Sequence, residues 1–141
     1  MILHPDSHVD HVPPEILEYA LARCAGRSGF FVETFDLPPD FPPLDCALYG
    51  PACGDPPVAE AEVFYATRAG RLNESRMIHR PLRKTRTCTV IAGPLNDQPC
   101  VLYTLFGGPA APREATDPNL QPEKREESLS FWRQHALANS P

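Results

Sequence analysis

The densest chemistry in the chain lies in RMIHRPLRKTR, residues 76–86, which carries Arg76, Arg80, Arg83, Lys84 and Arg86 together with His79. Five fixed cations in eleven residues stand against a net charge of −5 for the whole protein. Arg76, Ile78 and Arg80 share strand parity, so the two arginines would project from one sheet face. Guanidinium groups arranged this way clamp phosphate or carboxylate oxygens through paired N–H bonds. The same residues also suit a solvated strand edge whose charges deter pairing with another chain. Residue type alone leaves both readings open.

Other candidates are more scattered. His4-Pro5-Asp6-Ser7-His8-Val9-Asp10-His11 mixes imidazole and carboxylate, which suit zinc or iron. Asp6-x-His8-x-Asp10-His11 resembles the H-x-H-x-D-H motif of metallo-β-lactamase-like hydrolases. Aspartate replaces the first histidine, no strand precedes the motif, and 141 residues are too few for that fold. No metal and no other cofactor is therefore expected. A polar arm accounts for the segment, with His8 or His11 able to carry a proton near neutral pH. Tyr103 and Thr104 offer hydroxyls that could hold a phosphate, and Glu33 and Glu62 offer carboxylates; all four are also good structural residues. Gly107-Gly108-Pro109 lacks the strand–glycine-loop–helix context of a nucleotide cradle and reads as a turn, with Arg113 beyond it as a further anion ligand. No G-x-S-x-G elbow is present.

These groups must be held by an unusual scaffold. Eighteen prolines among 141 residues imply long ordered loops, because proline fixes φ and lacks an N–H. Pro14 and the stripe Ile16, Leu17, Ala20, Leu21 and Cys24 predict a helix ending near Gly26. Residues 30–37 read as a strand. Residues 38–57 contain seven prolines and leave room only for a short strand near Cys46–Tyr49. Strands are predicted at 60–68 and 75–80, and again at 87–93 and 100–106, giving two hairpins. A loop over 107–124 leads to a closing helix near 123–138, with Leu129, Trp132 and Ala136 on one face and Leu137 widening it. Strands in succession without intervening helices favour α+β: a meandering antiparallel sheet of four to six strands, an N-terminal and a C-terminal helix, and long Pro-rich loops. The length suits a single domain over 1–141 with a polar arm at 1–12.

Composition bounds the setting. Five cysteines without C-x-x-C spacing read as buried thiols in a reducing compartment. Neither a signal peptide nor a run able to span a membrane is visible, so the cytoplasm is the expected location. The negative net charge argues against general affinity for nucleic acid.

The order of elements, with the stretches SRMIHRPLRKTR, TCTVIAG and CVLYT, resembles the superfamily that joins barnase-like, EndoU-like and RelE-type ribonucleases. The resemblance implies metal-independent RNA cleavage on an open sheet face. It implies His79 or His8 as the base, and Arg80 and Thr104 as further catalytic groups. Arg76, Arg83, Arg86, Tyr103 and Arg113 would hold the substrate. Two other classes fit the residues as well. One is a non-catalytic module that binds a protein partner through the Pro-rich loops, with Phe41, Leu44 and Tyr49 as exposed contacts. The other is a pocket for a small anionic ligand.

Overall fold

The computed structural model describes residues 2–3, 9, 11–59, 62–68 and 71–139. Their chain trace groups into two compact units, one formed by Met1–Cys46 with Arg83–Ala110 and the other by Ala47–Leu82 with Ala111–Pro141.

In the first unit, Pro14 occupies the first turn of helix α1, Pro14–Cys24, where its missing N–H costs nothing. Ile16, Ala20 and Cys24 form its buried stripe. Gly26, at φ +79°, lets the chain turn away after the helix. Strand β1 is Ile2–Leu3, β2 is Phe31–Asp36, β8 is Thr87–Leu95 and β9 is Gln98–Gly107. They form a sheet in the order β1-β9-β8-β2. β1 runs parallel to β9, and the other pairs are antiparallel. Asn96, at φ 54°, makes the tight turn between β8 and β9, a conformation asparagine tolerates. β8 runs through Pro94 because a register shift between Gly93 and Leu95 removes it from the ladder. A two-stranded ribbon pairs β3, Leu44–Asp45, with β7, Lys84–Thr85.

The core of this unit gathers Ile16, Ala20, Phe31, Phe35, Val90 and Leu105, with Val9 and Val12 from the segment expected to be a polar arm. Each of the larger side chains here, valine upward, contributes about 1.5–3 kcal/mol on full burial. Thr89 is fully buried on the opposite sheet face; its hydroxyl donates to the carbonyl of Gly108 at 2.7 Å. With that single proton committed, it can only accept from the Thr34 hydroxyl, 2.9 Å away.

Burial raises the thiol pKa of Cys24 and pushes that of Cys88 up to about 12 from an ordinary value of 9.0. Above about pH 9 the unfolded chain therefore releases a proton that folded Cys88 keeps, and stability falls as pH rises toward 12. Urea midpoints taken from about pH 8 to about pH 11 should decline, and Cys88→Ala should flatten part of that decline. An unchanged slope in the variant would rule Cys88 out as its source.

In the second unit, β4 is Leu48–Tyr49, β5 is Glu62–Arg68, β6 is Arg71–His79 and β10 is Ala136–Asn139. Their order is β4-β10-β6-β5, with β10 parallel to β6 and antiparallel to β4. Helix α2, Arg125–Gln134, buries Ser128 and Trp132. The Ser128 hydroxyl donates to the carbonyl of Arg113 at 2.6 Å, and the Trp132 indole N–H to that of Pro112 at 3.1 Å. These bonds tie the long preceding loop to the helix.

The α+β class and the helices toward both ends match the expectation. The strands, however, fall into two four-stranded sheets and a ribbon instead of one meander. The β5–β6 and β8–β9 hairpins belong to different sheets. Pro81 cannot extend the ladder, and the outer edge of β6 is occupied by β10. The closing helix is also shorter than expected. It stops at Gln134 because His135 turns extended, and Ala136–Asn139, all but Asn139 within the expected helix, satisfy the edges of β4 and β6. The long connection expected in the 60–80 hairpin shrinks to two residues, since Arg68 pairs with Arg71. The loop side chains offered as exposed partner contacts are not so presented. Leu44 is buried, Phe41 packs partly buried against the core, and Tyr49 is half-buried under Arg80. Apolar residues in a Pro-rich loop lose contact with water when they plug the unit that carries them.

Candidate functional site

One recess of the second unit is built where β6 ends. Tyr49 pairs with Ala136 on β10, and β10 runs beside β6 with Ala138 opposite Ile78 and Asn139 opposite His79. Tyr49, Ile78 and Arg80 thereby share one face, as strand alternation requires. The N–H of Arg80 donates to the carbonyl of Asn139 at 3.1 Å, carrying the ladder one residue past the strand. The Arg80 guanidinium lies over the Tyr49 ring, 4.9 Å from its centroid, a cation–π contact worth about 0.5–1 kcal/mol at an exposed site.

The far wall comes from the Pro-rich excursion. Gly50 and Asp55 close a small ring: the N–H of Gly50 donates to Asp55 Oδ2 at 3.0 Å, and the N–H of Asp55 donates to the Gly50 carbonyl at 3.1 Å. The chain then passes through Pro56 and Pro57 to Val58, whose N–H donates to the carbonyl of Gln134 at 3.0 Å. Two consecutive prolines hold this wall extended with few conformational alternatives. The resulting recess has a volume of about 540 Å³ and is lined by Tyr49, Pro57, Val58, Ile78, His79 and Arg80. Its size is that of a small-molecule site, and its lining mixes the polar groups of His79 and Arg80 with apolar side chains.

Behind the wall, His135 is buried and structural. The N–H of Ala52 donates to its Nε2 at 2.9 Å, so Nδ1 carries the proton and donates to the carbonyl of Phe131 at 2.8 Å. The Phe131 ring stacks on it at 3.9 Å.

Of the residues expected to act together, this recess joins His79 and Arg80. Arg76 shares their unit but lines a neighbouring recess, and it donates to the carbonyl of His135 at 3.4 Å. Arg113, also in this unit, pairs with Asp117 at 3.1 Å. Arg83, Arg86, Tyr103 and Thr104 belong to the first unit, so they do not line this recess. There, Arg86 pins the 38–41 turn by donating to the carbonyls of Pro38 and Phe41, at 3.2 and 2.6 Å. Lys84 pairs with Asp45 at 2.7 Å. The Tyr103 hydroxyl donates to the carbonyl of Pro94, and half-buried Thr104 sits opposite Ile91 in the sheet. Glu33 is engaged by Arg23 and Arg27, at 2.7 and 2.6 Å. His8 and the side chain of Glu62 lie outside the described residues, as do most of the positions of the His/Asp arm.

Sequence reasoning missed Val58 and the two prolines beside it as walls of a site. The dense proline spacing was the available signal, since a rigid loop can form a wall. Among the described residues no group of three His, Cys, Asp or Glu side chains could hold a metal ion. No helix among them is long and apolar enough to cross a membrane. Comparison with protein-family models, curated proteins and solved structures finds no match to this chain.

Proposed function

We propose that the second unit binds a small anionic ligand, phosphate- or carboxylate-bearing, in the recess between Tyr49 and Arg80. The observation that carries this reading is the guanidinium of Arg80 poised over the Tyr49 ring in the wall of this recess. Stacking presets the planar donor group, so less side-chain freedom is lost when it grips an anion. Val58 and Ile78 would cover an apolar body on the ligand.

Thermal unfolding in the presence of inorganic phosphate, nucleoside monophosphates and short carboxylates tests the reading. A true ligand at about 100 times its dissociation constant raises apparent stability by about 2.7 kcal/mol. Arg80→Ala should weaken that ligand at least about tenfold, because a hydrogen bond to a charged group contributes about 1.5–3 kcal/mol. A flat response across all three ligand classes would dispose of the proposal.

The pairing of His79 with Arg80 favours a second reading, metal-independent cleavage of RNA. The 2′-oxygen would bond to phosphorus as His79 takes its proton, the P–O5′ bond would break, and the departing oxygen would take a proton from water. Arg80 would stabilise charge on the phosphate. RNA left intact by the protein in EDTA, while ligand-induced stabilisation persists, would leave binding without catalysis.

A further inference from the structure

We infer that the second unit carries another binding site, for a free carboxylate with an unbranched hydrocarbon tail, in the recess between α2 and the β5–β6 hairpin. This recess has a volume of about 420 Å³ and is bounded by Val63, Glu74, Arg76, Leu129, Trp132 and Arg133. It lies within the size range of small-molecule sites. The two recesses share Val58 and Ala59 as walls, but their arginines differ, so each anion can be tested by its own arginine.

Its walls divide by chemistry. Leu129, Trp132 and Val63 are apolar. The indole N–H of Trp132 already donates to the carbonyl of Pro112, so the ring offers hydrocarbon surface without an unmet polar group. Two guanidiniums, Arg76 from β6 and Arg133 from the last turn of α2, stand against one carboxylate, Glu74, whose Oε2 accepts from the Tyr65 hydroxyl at 3.3 Å. Arg76 uses Nη1 toward the His135 carbonyl, and a guanidinium has five N–H donors. The excess of one positive charge selects a monoanion, and two arginines suit the two oxygens of a carboxylate.

The tail is selected by what lies beyond the arginines. Val63 pairs with Arg76, Tyr65 with Glu74 and Thr67 with Leu72, so these side chains share a single face of the hairpin. Val63, Tyr65 and Leu72 on that face are 50%, 62% and 60% exposed. From Arg76 to Leu72 the strand rises ~13 Å at ~3.3 Å per residue. Three exposed apolar side chains spaced along this length, with the Glu74 carboxylate between them engaged by the Tyr65 hydroxyl, match a linear amphiphile rather than a compact anion.

Trp132 is the sole tryptophan, so its emission reports the site directly. The full-length protein is titrated with octanoate, decanoate and dodecanoate below their micelle concentrations. Saturable changes are expected, with affinity rising about threefold to fourfold per added methylene. Arg133→Ala, at an exposed position, should keep the far-ultraviolet circular dichroism and weaken decanoate about tenfold. Equal binding of octanoate and dodecanoate, or of decanol and decanoate, would overturn the inference. So would a loss on Arg80→Ala as large as that on Arg133→Ala, which would put the carboxylate in the other recess. Binding to vesicles containing phosphatidylserine without any response to free decanoate would equally overturn it.

Discussion

Replacing Gly50 with alanine is expected to destabilise the second unit by about 2–6 kcal/mol. Gly50 sits at φ 141° and ψ −172°, a region open essentially to glycine alone, where another residue costs about 1–3 kcal/mol. A Cβ there would also lie 2.6 Å from His135 Cδ2 and 2.7 Å from the carbonyl oxygen of Gln134. Neither neighbour can yield cheaply. His135 is held through both ring nitrogens and stacked on Phe131, and the Gln134 carbonyl accepts from Val58. Overpacking of this kind adds about 1–3 kcal/mol. Urea unfolding followed by Trp132 emission measures the change. Because Tyr49 precedes Gly50 and Val58 hangs from Gln134, the same variant should lose the recess between Tyr49 and Arg80 even where it remains folded. A destabilisation below about 1 kcal/mol would mean that the loop repacks freely and that its backbone is not fixed by His135.

Leu105→Ala should cost the first unit about 2–5 kcal/mol. Leu105 is fully buried in β9, opposite Val90, within the cluster that α1 covers. Truncation removes transfer energy and leaves a cavity between a helix and a sheet, two rigid elements that close over it poorly. Leu72→Ala applies the same chemical change where the side chain is largely exposed and should fall within about 0.5 kcal/mol. Circular dichroism in urea compares the two. Similar midpoints would mean that the β9 face is not the packed core described above.

Local patterning was readable wherever one segment carries its own signal. Pro14 with the Ile16–Ala20–Cys24 stripe specified α1, and the β-branched and aromatic runs on either side of Asn96 specified the β8–β9 hairpin. Ala136–Asn139 shows where such reading stops. Those residues continue the helical stripe of Trp132, yet they become β10 because the edges of β4 and β6 offer backbone partners that a few more helical residues do not outweigh.

Composition and periodicity by themselves determined the α+β class, the first helix, the hairpins and the cationic run. Tertiary structure alone decided that the two hairpins enter different sheets and that Arg76 and Arg80 open onto neighbouring recesses. It also decided that Arg86 is consumed in pinning a turn, and that Pro57 and Val58 wall the recess beside Arg80. The physical reason is that side-chain period is a property of a single segment. Which strand edge meets which, and which loop closes over a face, depend on unpaired N–H and carbonyl groups finding partners far along the chain.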